Sequence, residues 1–337
     1  MTGQSKNWSG HSQTILGHFA KSKKFKYESE FVRLKLSNGT NDFCGLHISV
    51  PKHHSPPGGE CNPVRKKIVL LLFHGLGGTS DSDYICRTAD LAFEMGWTVI
   101  RVDHRGSGHV AGEFTQPYHS GRGEDVSDIL DFSKSRFPGC EQVVFGVSMS
   151  GTIILNLLTG RFGKTLPDKA IIVNAPLNLH DASARLKTGF SLFYDWRFYF
   201  KLKKMILQKE KNFFLPKIGN TQTIDELFTS VKSGFKNRVH YYDECSPFNH
   251  VNQIKTETFI LTAEDDPIVS YDLYKQAQWS KPCRLYFSTA GGHVGYYSGS
   301  NIKYKNKDFG RRWLDYFLYS VFEVISSDNS KQNEYKI

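Results

Sequence analysis

The first clear pattern along the chain is a pair of short alternating stretches, FVRLKLS (31–37) and FCGLHISV (43–50), joined by the turn-forming NGTND. Apolar residues at every second position turn one face of a strand inward, so the two stretches predict a β-hairpin. A Pro- and Gly-rich loop, PKHHSPPGGECNP, then leads into KIVLLLFHG (67–75). Here the apolar run is unbroken, as in a strand covered on both faces. From that point helix-like and strand-like segments take turns: DYICRTADLAFEMG, TVIRVDHRG, GEDVSDILDFSKSRF, QVVFGVS, GTIILNLLTG and KAIIVNAP. Such alternation specifies an α/β fold, a mostly parallel sheet with crossover helices on both faces.

Residues 178–245 break the rhythm with aromatic and basic helical pattern and no good strand, which predicts a helical cap inserted into the core. The β/α rhythm resumes in TFILTAEDDP, SYDLYKQAQW and RLYFSTAGGH, and closes with a helix around FGRRWLDYFLYSVFEVI. One domain over residues 1–325 is therefore expected, followed by a polar tail, 326–337, that should fray.

Composition changes this picture little. Hydrophobic residues make up 39% of the 337 positions and charged residues 23%, the balance of a globular chain. The net charge of +10 is compatible with anionic partners, yet no zinc-finger, RNA-binding or arginine-rich signature accompanies it, so nucleic acid is not an expected partner. The six cysteines (Cys44, Cys61, Cys86, Cys140, Cys245, Cys283) form no C-x-x-C pair and suit a reducing compartment. With no apolar leader and no membrane-length apolar run, the sequence predicts a soluble, cytoplasmic protein.

Open parallel sheets present functional groups at the carboxyl ends of their strands. Ser148 follows QVVFGV, Asp266 ends FILTAEDD and His293 follows RLYFSTAGG, which is the chain order Ser, Asp, His used for acyl transfer on such sheets. In that chemistry His293 takes the Ser148 proton during attack on an acyl carbonyl and Asp266 orients the imidazole. Asp265 is the competing acid. The elbow FGVSMSG carries Gly146 two positions before the serine, but Ser150 two positions after it, where glycine is usual. Gly151 follows, and Gly75 opens the turn in FHGLGG. The backbone amides of Leu76 and Met149 are the expected oxyanion donors. Ser150 is small enough for the turn to survive, its hydroxyl bonded to nearby backbone.

The chain resembles the YheT-like branch of the α/β-hydrolases, esterases related to the abhydrolase-domain lipid and acyl-ester hydrolases. The motifs that carry the resemblance are GHSQTI, FHGLGG, GWTVIRVDHRGSG, FGVSMSG, GFKNRVHYYDECS, AEDDP and GGHVGYY, spread nearly end to end. It implies an eight-stranded α/β-hydrolase sheet, a triad at Ser148, Asp266 and His293, and medium-chain esters or glycerolipids as substrates. Acyl transfer to an alcohol is the alternative reaction, although no H-x-x-x-x-D motif supports it. A non-catalytic lipid-binding or partner-docking protein is the alternative class.

Other signals are weaker. GRFGKT (160–165) lacks P-loop spacing, and RGSGHVAG lacks the dinucleotide spacing. No H-E-x-x-H motif occurs among the 13 histidines, so neither a metal nor any other cofactor is expected. His11, Gln13 and Thr14 suggest core hydrogen bonding, Tyr241 and Tyr242 packing, and His74 a role in orienting the oxyanion turn. His104 and His119 are candidates for substrate contact. The segment GFSLFYDWRFYFKLKKMILQKEKNFFLPK mixes aromatic and basic residues at helical spacing. It fits a cap helix over an acyl pocket, an interfacial helix giving peripheral membrane contact, or an ordinary solvated helix.

Overall fold

A computed structural model describes residues 8–19, 24–52 and 66–327 of the chain. Cys61, most of the Pro- and Gly-rich loop and the tail from 328 onward lie outside the described residues. The order is α1 (Gly10–Phe19), β1 (Glu30–Lys35), β2 (Phe43–Ser49), β3 (Ile68–Phe73), α2 (Asp83–Glu94), β4 (Thr98–Asp103), α3 (Gly123–Arg136), β5 (Glu141–Val147), α4 (Met149–Leu158) and β6 (Lys169–Val173). Helices then run without a strand through α5 (Leu179–Arg185), α6 (Ser191–Lys209), α7 (Thr221–Ile224), a π-helical turn (Asp225–Thr229), α8 (Ser230–Lys232) and α9 (Arg238–Cys245). The chain closes with β7 (Glu257–Ala263), α10 (Tyr271–Gln276), β8 (Cys283–Ser288), β9 (Tyr297–Tyr304), β10 (Lys307–Arg312) and α11 (Trp313–Ser326).

Eight strands form one sheet in the order β1-β2-β4-β3-β5-β6-β7-β8. The β1–β2 hairpin is antiparallel and joins β4 in antiparallel register, while all pairs from β4 to β8 are parallel. All six residues of β3 are buried because alternate side chains feed two different cores. Val69, Leu71 and Phe73 pack with Ile129 and Leu130 of α3 and Ile153 and Leu157 of α4. Leu70 and Leu72 pack with Ile85 and Ala89 of α2 and Leu314, Phe317 and Val321 of α11. An unbroken apolar strand is the direct consequence of helices on both faces.

Two elements differ from the sequence expectation. The terminal helix begins at Trp313, and the residues before it, FGRR included, belong to the two-stranded antiparallel sheet β9–β10. Its strands carry few buried positions and a charged, irregular register, so no alternating pattern announces them. The second is α1, whose motif residues were legible but whose helix was not.

Between β6 and β7, α6 buries Ser191, Tyr194, Asp195, Phe198, Tyr199, Leu202 and Ile206. These recur at intervals of three and four, one stripe of a 3.6-residue helix. The opposite side leaves Leu192, Phe193, Trp196 and Phe200 exposed.

Candidate active site

The peptide chain leaves β5 at Val147 and enters α4 at Met149, and the one residue between them, Ser148, takes φ 54° and ψ −126°. A non-glycine residue holds that conformation only where its surroundings impose it. They do so here by close packing. A Cβ on Gly146 would stand 2.4 Å from Ile154 Cδ1, and one on Gly151 would stand 2.7 Å from Ala175 Cβ. Gly75 passes Ser148 itself, with a Cβ there 3.2 Å from the serine Cβ.

Ser150, the departure from the glycine pattern, is fully buried. Its hydroxyl donates to the carbonyl of His74, the residue that opens the oxyanion turn. The same oxygen lies 2.7 Å from His104 Nε2, which therefore donates to it. Burial holds His104 well below the usual imidazole pKa, and His74 beside it adds to the effect, so His104 is neutral. The substrate-contact role considered for His104 and His119 does not hold in the structure. Both are buried, His104 stacked on Tyr118 and His119 packed edge-on against Phe235 and Tyr241.

His293 Nε2 lies 2.8 Å from Ser148 Oγ, and His293 Nδ1 lies 2.9 Å from Asp266 Oδ2. The other oxygen of Asp266 accepts the amides of Ile268 at 2.8 Å and Val269 at 3.0 Å. Asp265 faces elsewhere: its Oδ1 accepts the amides of Gly291 and Gly292, both at 2.8 Å, and so shapes the loop that carries His293. Asn174, just past β6, was not singled out from the sequence. It sits at φ 49°, donates to Asp266 Oδ2 and to the Gly292 carbonyl, and accepts from the Tyr296 hydroxyl. A lone Asn after a strand carries no motif, which is why sequence reasoning passed it over.

The N-terminal GHSQT motif acts on the same loop. Thr14 Oγ1 accepts the His293 amide at 2.8 Å and donates to Gly10 O at 2.7 Å. Gln13 both donates to and accepts from the backbone of Tyr297. The fit is tight enough that a Cβ on Gly10 would fall 1.7 Å from Asp265 O.

In the turn after β3, the Gly75 amide donates to the Tyr84 hydroxyl and the Gly77 amide to the Tyr118 hydroxyl, both at 2.7 Å. The Leu76 amide between them donates to no described residue. Met149 opens α4, where an amide has no acceptor within its own helix. His74 braces the turn through Nδ1, 2.8 Å from the Gly75 carbonyl, with Nε2 accepting from Ser107. Lys201 of α6 reaches across to Gly77 O at 3.2 Å.

Ser148 and His293 stand where two clefts meet. One, about 870 Å³ with its mouth, is lined mainly by apolar residues including Leu179, Leu186, Phe198, Leu202, Ile206 and Phe228. The other, about 950 Å³, is the more polar of the two and includes Asp81, Ser82, Arg197 and Lys201. Leu76 lines both. Asp225, which also lines the apolar cleft, accepts from Tyr242 at 2.7 Å, and burial pushes its carboxyl up to about 6.

A mostly parallel sheet with this strand order and a serine on a strained strand-to-helix turn are the α/β-hydrolase fold. A family model described as serine aminopeptidase, S33, matches residues 64–213. The chain is similar to the putative esterase YheT of Escherichia coli, 28% identical over 302 residues, 86% of this chain and 85% of that protein. It is also 27% identical to the monoacylglycerol lipase of Saccharomyces cerevisiae over 277 residues, 77% of this chain and 60% of that protein. Among solved structures, an esterase from Exiguobacterium antarcticum superposes with a TM-score of 0.51 at 12% identity, covering 88% of this chain and all of that one. That last likeness concerns the fold alone.

Proposed function

We propose that the chain is a serine hydrolase that cleaves carboxylic esters through an acyl-enzyme on Ser148. The observation that carries this reading is the unbroken hydrogen-bonded series Asp266, His293, Ser148 ending at the junction of an apolar and a polar cleft. Ser148 Oγ attacks the acyl carbon as its proton passes to His293 Nε2, and the imidazolium is held by Asp266. The carbonyl oxygen gains its charge beside the Leu76 and Met149 amides, two donors fixed by the turn and by the helix start. Collapse of the tetrahedral species returns the proton to the leaving alcohol. Water then repeats the sequence and frees the acid.

The apolar cleft takes the acyl chain and the polar cleft takes the alcohol portion. Helices α5–α9 act as the cap that walls the acyl side. The similarity to an esterase and a monoacylglycerol lipase supports medium-chain esters or glycerolipid esters as the substrate class. A panel of p-nitrophenyl esters tests this. Rising kcat/KM from acetate to octanoate supports the assignment, and a preference for acetate contradicts it.

Peripheral membrane contact belongs to the same reading. Phe190, Leu192, Phe193, Trp196 and Phe200 are exposed together around the first turns of α6, and Phe214 and Ile218 follow it at 82% and 78% exposure. No helix among the described residues is long and apolar enough to cross a membrane. A surface of aromatic and aliphatic tips beside lysines is suited to the lipid headgroup boundary. Phe193→Ser with Trp196→Ser should abolish cosedimentation with anionic vesicles and leave turnover of a soluble ester unchanged. Undiminished cosedimentation would contradict the contact.

A further inference from the structure

A second constellation lies toward the antiparallel side of the sheet, at the carboxyl end of β4, two strands over from the β5 end that leads into Ser148. His47 comes from β2, Asp103 ends β4, and His109 sits in the 3-10 turn Gly108–Val110 that follows. His47 Nε2 and His109 Nδ1 each lie 3.1 Å from the same carboxylate oxygen, Asp103 Oδ2. One donor atom from each residue lies within 4.8 Å of the others. An ion bound tetrahedrally by nitrogen and oxygen at 2.0–2.1 Å separates its ligands by about 3.3 Å. The two observed spacings are within a few tenths of an ångström of that.

The surroundings hold the carboxylate for such a use. Asp103 is fully buried, and its Oδ1 accepts the Ser80 amide at 2.7 Å. Its Oδ2 accepts the His109 amide at 3.0 Å in addition to facing both imidazoles. Three nitrogens on one oxygen exceed the two lone pairs it offers, whereas a cation among the three side chains would bind that oxygen and both ring nitrogens at once. The backbone comes this close only because residue 108 is glycine, at φ 51°: a Cβ there would meet Asp103 Oδ1 at 2.1 Å. The His109 side chain is 51% exposed, which leaves an approach from solvent and room for a water as fourth ligand. Phe31 tilts over both imidazoles and restricts them from the outer face.

We propose that His47, Asp103 and His109 bind one divalent transition-metal ion of the zinc class, through Nε2, Oδ2 and Nδ1. Two imidazoles and a carboxylate are ligands of that class rather than of calcium or magnesium, which take oxygen. The site is structural. It clips the hairpin strand β2 to the end of β4, where the next residue, His104, braces Ser150 of the elbow. No local spacing announces it, because its ligands come from segments more than fifty residues apart.

The test uses tag-free, full-length protein stripped with chelator and titrated with Co2+ by visible absorption and with Zn2+ by calorimetry. One saturable equivalent is expected, with the intense visible bands of a tetrahedral Co2+ site. His109→Ala, at a half-exposed position, and His47→Gln should each weaken Zn2+ binding by at least about tenfold. Both should keep wild-type turnover of a soluble p-nitrophenyl ester, which also reports that they fold. Absence of saturable binding by active wild-type protein, or affinity unchanged in His109→Ala, would overturn the site.

Discussion

Ser150 shows what a single residue contributes beyond its fit to a motif. The sequence indicates that its Cβ is tolerated and its hydroxyl bonded to backbone; the structure identifies that backbone group as His74 O and adds His104 Nε2 as a second partner inside the core. Ser150→Gly restores the common motif but leaves a buried imidazole donor and a carbonyl unpaired. It should lower stability by about 1–3 kcal/mol in urea titration while ester turnover persists. An unchanged urea midpoint would show that the network carries no stability. Asp225 makes a pH-dependent prediction. Its folded pKa, about 6, lies above the ordinary 3.8, so the folded state holds its proton more tightly than the unfolded chain does. The associated stability is fully present below pH 4 and is lost as pH rises to about 6. Asp225→Asn should remove that slope and stabilise the protein at pH 8 by at most about 3 kcal/mol. Parallel pH–stability curves for the two proteins would contradict it.

At the scale of elements, the strands of the main sheet were legible because each is apolar on one or both faces. Ser148, Asp266 and His293 were legible as a candidate set because each follows such a strand. Leu76 and Met149 were legible as positions, although only the turn geometry shows which neighbouring amides are already occupied. Sheet β9–β10 was not, since its side chains bury little and its pairing contains bulges. Asn174 and His47 were hidden for another reason: their partners are distant in sequence and follow no period. The role of α1 also emerges only in three dimensions, where Thr14 holds the His293 amide. Thr14→Val keeps the shape and removes that acceptor, so His293 loses a restraint on its position. A fall in kcat of roughly tenfold to 100-fold with little change in KM is expected from steady-state kinetics. An effect confined to KM would contradict this role for α1.

For the molecule as a whole, the sheet supplies the proposed reacting groups and the helices between β6 and β7 wall much of the apolar cleft. Leu202 lies on α6, packs in a cluster with Phe114, Ile206 and Phe228, and lines the apolar cleft. Leu202→Trp should fill part of the cleft and lower kcat/KM for octanoate relative to acetate by roughly tenfold or more. Equal losses on both esters would place the acyl chain elsewhere. The central claim is that Ser148 is the nucleophile. Intact-mass spectrometry after reaction with a fluorophosphonate tests it most directly, using wild type, Ser148→Ala and Ser150→Ala side by side. One adduct on wild type and on Ser150→Ala, and none on Ser148→Ala, is the predicted result; an unlabelled folded wild type, or a labelled Ser148→Ala, would contradict it.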